Sequence, residues 1–186
     1  MPFIRTISYK ESAGYLKHIY DDLIKKRGKL ADVHKIQSLN PESIVAHMDL
    51  YMCVMFGKSP LRRYQREMMA VVVSRCNNCT YCVGHHAAAL MHFWKDSEKV
   101  SQLAKDYRLV KLTDLDMWLC RLADILTVHP DQTEESEILI ALRKIGLDDK
   151  GILDATLVIA YFNFVNRIVL GLAVEQEEDV GGYKYD

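Results

Sequence analysis

The chain has 186 residues, 24 Lys and Arg against 25 Asp and Glu, and a formal net charge of −1. That length suits one domain spanning 1–186 with a sizeable core, and the scattered charge excludes the basic stripe of a nucleic-acid binder. Hydrophobic residues make up 49%, yet no uninterrupted apolar run approaches the roughly 20 residues of a membrane span. The start "MPFIRTISYKES" lacks the basic end and apolar core of a secretory signal, so a cytoplasmic protein away from membranes is expected.

Sparse proline (4) and glycine (9) and helical periodicity predict an all-α chain, an oligomeric helix bundle. After an irregular arm (1–11), a helix is expected over 12–26, stopped by Gly28, and a short one over 33–38. "NPES" supplies an Asn40 cap with Pro41 in the first position, opening a helix to Phe56. Ser59 and Pro60 read as the same device for a helix through Val73. Further helices are expected at 79–94, 97–106, 114–127 behind Thr113, 134–145 behind Thr133, and 149–173. The polar tail 174–186 is expected to pack loosely or against a partner subunit.

Chemistry concentrates in "SRCNNCTYCVGHH", where Cys76, Cys79 and Cys82 are three of the five cysteines. Such spacing in a cytosolic chain points to metal binding or redox chemistry rather than a structural staple. On a helix opening at Cys79 and capped by Asn77 or Asn78, Cys79, Cys82 and His86 fall at ~0°, ~300° and ~340°, within one arc of about 60°. The helix N-terminus favours a thiolate at Cys79, and His86 lies four residues beyond Cys82, in reach of its proton. In the preceding helix Glu67 falls toward the apolar side, where a carboxylate needs a partner. His86 is one candidate and Arg63, four residues back, another.

Glu67, Cys79, Cys82 and His86, with the small-residue run "HHAAA" and "YFNFVNR" at 161–167, resemble the signature of the alkylhydroperoxidase D-like (AhpD-like) family, in its peroxidase-related subgroup within the carboxymuconolactone decarboxylase superfamily. The resemblance spans about 10–175. It implies a homo-oligomeric helical fold, dimer-based and up to a hexamer. It also implies a CxxC peroxidase in which Cys79 and Cys82 are the redox pair, His86 the proton shuttle and Glu67 its outer partner. The substrate would be a small hydroperoxide and the reductant an external dithiol of lipoyl type, with no bound cofactor or metal. The chain departs from the family by placing Tyr81 where peroxidase members have a second histidine between the cysteines, and His85 is the candidate to stand in.

Rival readings remain open at this stage. Three thiols and an imidazole also make a zinc or iron–sulfur ligand set, although one helix face cannot present them tetrahedrally. Cys53 and Cys120 read as inert core residues, and Cys76 as packing or as a second CxxC with Cys79. The methionines Met52, Met55, Met68, Met69 and Met91 read as core, and His18, His34, His47, His92 and His129 carry no assigned role. "YFNFVNR" reads either as a channel wall or as a buried helix whose asparagines bond across an interface. Arg167 within it is placed to pair with an acid or an anionic ligand. The functional alternatives are a disulfide-reducing or redox-sensing protein with little peroxidase turnover, and a decarboxylase-like enzyme, against which the cysteine pair weighs.

Overall fold

The computed structural model describes residues 1–132 and 137–184, and among these the chain has nine α-helices and no strand. They are α1 (Gly14–Arg27), α2 (Asp32–Lys35), α3 (Pro41–Phe56), α4 (Arg63–Cys76), α5 (Thr80–Trp94), α6 (Ser97–Lys105), α7 (Asp114–Val128), α8 (Ile138–Lys144) and α9 (Asp149–Gly171). Capping residues set several starts: Asn40 accepts the Ser43 amide, Thr113 that of Asp116, Asp96 that of Lys99 and Asp148 that of Gly151. Thr133, the expected cap of α8, lies outside the described residues.

The helix α4 is the centre. Every residue from Gln65 to Ser74 is buried, the pattern of a helix enclosed on all sides, and α5, α7 and α9 pack around it. Met68 and Met69 are fully buried, and truncating either to Ala should cost about 2–5 kcal/mol. A smaller cluster joins Leu16, Ile19, Tyr20 and Leu23 of α1 to Ile44 of α3. The polar residues of α4 find partners: Gln65 donates to Asp116 at 2.7 Å, and Arg66 donates to the carbonyls of Val54, Gly57 and Leu61.

Three expectations are corrected. The helix α4 opens at Arg63, because the Ser59 hydroxyl takes the Leu61 amide in a local turn while Gln65 takes the Arg62 amide at 2.9 Å. Cys53 is exposed, as are Met52 and Met91, so the face of α3 bearing Cys53 is not core. The tail folds back on its own chain, with Lys184 donating its amide to Arg27 and Lys29 paired with Asp179. Helix α9 is, by length and composition, long and apolar enough to cross a membrane; here Ala155, Val158, Ile159 and Phe162 make its inner face part of the core.

Candidate active site

The turn between α4 and α5 delivers the first cysteine. Asn78 takes a left-handed conformation (φ 56°), which asparagine tolerates better than most residues. The Cys79 amide reaches back to Ser74 O at 2.9 Å and that of Asn78 to Arg75 O at 3.0 Å, the paired bonds of a Schellman motif. These bonds carry α4 on to Cys76 and make Cys79 itself the N-cap of α5, a place the sequence had given to Asn77 or Asn78. Asn77 instead bonds to Asn163 and Asn166 of α9, tying the turn to that helix.

With α5 folded back along α4, Glu67 meets His86: a carboxylate oxygen lies 2.6 Å from the ring Nδ1. Its other oxygen is 2.7 Å from Arg63, so both partners considered for this carboxylate hold it at once. Burial raises the Glu67 carboxyl, but His86 and Arg63 outweigh it and keep the group below its ordinary range. Because Nδ1 is committed, Nε2 is the nitrogen of His86 left for chemistry. The ring stands edge-on to Phe162 with centroids 4.3 Å apart.

Beside this pair is a cavity of about 90 Å³, whose walls include Cys82, His86, Glu67, Tyr161 and Phe162. Both thiols of the CxxC are buried and free, but only Cys82 borders the cavity. A thiol–thiol hydrogen bond holds Cys79 below the usual thiol range against its burial, and the same bond together with burial pushes Cys82 up. Cys79, at the helix N-terminus, is thus the more acidic thiol of the pair. Cys76 donates to Asp124 on α7 at 3.5 Å, and burial pushes it up to about 12; Cys120 is buried in the core. Among the described residues no three His, Cys, Asp or Glu side chains are grouped to hold a metal ion.

A second carboxylate–imidazole pair lies nearby, unannounced by any local pattern of residues. Glu177, from the tail, is 2.6 Å from His85 Nε2 and accepts from the Tyr81 hydroxyl at 2.9 Å and the Asp32 amide at 2.6 Å. Burial raises this carboxyl, but the three donors win and hold it at about 2. The Tyr81 hydroxyl is bound to Glu177 and also accepts the Val33 amide; burial and Glu177 push it up. It ties the tail to α5 and to the start of α2. The tail runs close over α5 at Gly84, where a Cβ would meet the movable tip of the Gln176 side chain.

The cavity wall also includes Arg27, His34, His47 and Tyr51. Tyr161 and His47 Nε2 share a hydrogen bond at 2.7 Å, and Gln37 meets His47 Nδ1 at 2.9 Å. Isolated histidines gave no signal in the sequence, because their partners are 10 and 114 residues away. In "YFNFVNR", Tyr161 and Phe162 line the cavity, and Asn163 and Asn166 meet Asn77 across the packing of α9 against the α4–α5 turn. Arg167 folds onto Asn163.

Residues 42–114 match the model of the carboxymuconolactone decarboxylase family. No curated protein matches the chain in sequence. Among solved structures, an uncharacterized peroxidase-related protein from Silicibacter sp. TM1040 superposes with a TM-score of 0.85 at 28% identity, covering 100% of this chain and 98% of that one. A peroxidase-related protein from Ralstonia eutropha JMP134, described as an alkylhydroperoxidase AhpD core, gives 0.85 at 20% identity, over 95% and 93%. The debrominase Bmp8 gives 0.77 at 17% identity, over 95% and 93%; a cysteine-to-alanine variant of it was solved with 2,3,4-tribromopyrrole. Residues 42–114 are thus similar to the carboxymuconolactone decarboxylase family, and the fold of the chain is that of the AhpD core.

Proposed function

We propose that the protein is a thiol-dependent peroxidase acting on small hydroperoxides, with Cys79 and Cys82 as its dithiol and His86 and Glu67 as its proton relay. The observation that carries this reading is the line Glu67–His86–cavity–Cys82, in which a buried carboxylate orients an imidazole beside the only cysteine facing the cavity. The fold shared with peroxidase-related proteins supports it.

In the cycle, His86 Nε2 takes the Cys82 proton and Glu67 stabilises the imidazolium. The Cys82 thiolate attacks the outer peroxide oxygen, the O–O bond breaks, and the departing alkoxide leaves as an alcohol with the proton from His86. The Cys82 sulfenic acid then condenses with Cys79, releasing water and forming a disulfide. Cys79, already the more acidic thiol, is suited to that second attack. An external dithiol of lipoyl type restores both thiols. His85 and Tyr81, engaged by Glu177, hold the tail and take no part in proton transfer.

Steady-state turnover of tert-butyl hydroperoxide with dihydrolipoamide tests the reading. Cys82→Ser should abolish turnover, and undiminished turnover in that variant sinks the mechanism. A second reading, that the dithiol reduces a substrate other than a peroxide, draws on the aromatic cavity wall of Tyr51, Tyr161 and Phe162 and on the fold shared with a debrominase. Turnover of 2,3,4-tribromopyrrole exceeding that of any hydroperoxide would favour it. The exposed apolar row Leu153, Leu157 and Phe164 on α9 supports a homo-oligomer, and a reducing cytoplasm suits a working dithiol. Sedimentation at graded concentrations, with Leu157→Glu as control, tests the assembly.

A further inference from the structure

Arg27 ends α1 and is only 7% exposed. Its guanidinium lies 5.2 Å from the Tyr51 ring and 5.0 Å from that of Phe56, and it donates to the Tyr51 hydroxyl at 3.1 Å. Arg63, the neighbouring cation, has the Glu67 carboxylate. Arg27 has no carboxylate within 4 Å among the described residues. A phenol oxygen answers one of five guanidinium donors, and a buried cation without a counter-ion is costly.

Arg27 borders the same cavity as Cys82 and His86. A second unmet group stands in that wall: His34, 7% exposed, has its Nδ1 buried without a hydrogen-bond partner. Burial, with the neighbouring His47 and Arg27, pushes this imidazole down to about 3, so it is neutral and can offer an N–H or a lone pair.

We infer that the cavity takes a small organic anion, its carboxylate held by Arg27 and His34 and its other end directed at Cys82. This names the substrate class of the site proposed above and rests on Cys82 being its reactive thiol. Arg27 suits a carboxylate because a guanidinium forms two parallel charge-assisted bonds to it. The volume, about 90 Å³, is below the roughly 150 Å³ of an engineered cavity that accepts benzene, which limits the anion to a few heavy atoms beyond its carboxylate.

The test compares alkylation of Cys82 by iodoacetate and by iodoacetamide, reagents of similar size that differ in charge, read by peptide mapping. In the unaltered protein the iodoacetate rate should saturate with reagent concentration. Arg27→Gln should lower the iodoacetate-to-iodoacetamide rate ratio at Cys82 by at least about tenfold, as loss of a charge-assisted pair implies, and Arg27→Lys should recover part of it. An unchanged ratio in Arg27→Gln overturns the inference. If that variant does not fold, the unaltered protein still decides: butanoate should protect Cys82 from iodoacetamide and butanamide should not, whereas equal protection by both overturns it. Charge selectivity at Cys82 without hydroperoxide turnover would sink the peroxidase reading and leave the anion site standing; turnover without selectivity would do the reverse.

Discussion

Lowering the pH from 6.5 to 5 should destabilise the fold through two histidines of the cavity wall. Burial holds His34 at about 3 and His47 at about 4, against an ordinary 6.5. In that window the unfolded chain binds protons at both positions and the folded chain at neither, so stability falls as pH falls. The effect is absent well above pH 6.5 and stops growing for each histidine below its folded value. By pH 5 each contributes about 1.6 kcal/mol, together about 3 kcal/mol, on the scale of 1.36 kcal/mol per pKa unit. With a urea m-value of about 2–3 kcal/mol per molar, the midpoint should drop by about 1–1.5 M. The assay is urea unfolding by circular dichroism at fixed protein concentration, since an oligomer's midpoint depends on concentration. The two carboxyls that the site holds low, Glu67 and Glu177, begin to matter only near pH 4.5 and below, outside the window. His34→Gln and His47→Gln should each remove about half of the pH slope whatever they do to stability at pH 8. A double variant retaining the full slope would refute the assignment of neutral, buried imidazoles.

Other expectations concern the relay and the tail. Cys79→Ser should leave the first attack intact and stall the cycle at a Cys82 sulfenic acid, trapped by dimedone and seen in the Cys82 peptide. Glu67→Gln removes the acceptor that orients His86 and should lower kcat about 10²-fold with little change in KM; a raised KM with kcat unchanged would mean lost binding instead. Glu177→Gln gives up the charge shared by His85, Tyr81 and the Asp32 amide, and should cost about 1–3 kcal/mol, read as faster amide exchange across 176–184. Cys76→Ser, with its thiol bound to Asp124 and away from the cavity wall, should leave peroxide turnover within about twofold; its loss would return Cys76 to the redox chemistry.

Much of the fold was legible because its signals are local. Asn40–Pro41 and Thr113 fix helix starts through side chains within three residues of the amides they cap, and the Glu67, Cys79, Cys82, His86 spacing is set by helical geometry along one hairpin. Where the reading failed, distant groups decided. Ser59–Pro60 resembles a cap, but the Gln65 amide group moves the true start to Arg63. Cys53 has the same helical surroundings as a core cysteine, and only the position of α3 against α9 shows its face to be exposed. Glu177 sits in a polar tail whose composition reads as loose, and its partners at 32, 81 and 85 are set by tertiary structure alone. Arg27, one cation in "KKRGK", is separated from its neighbours only by burial.

The most direct test of the central claim is peptide mapping of the fully reduced protein after one equivalent of organic hydroperoxide, and again after dihydrolipoamide. The account predicts a Cys79–Cys82 disulfide that forms with the peroxide and disappears with the dithiol, while Cys53, Cys76 and Cys120 stay reduced. Free thiols at both positions after peroxide, or a disulfide joining Cys76 instead, would contradict it.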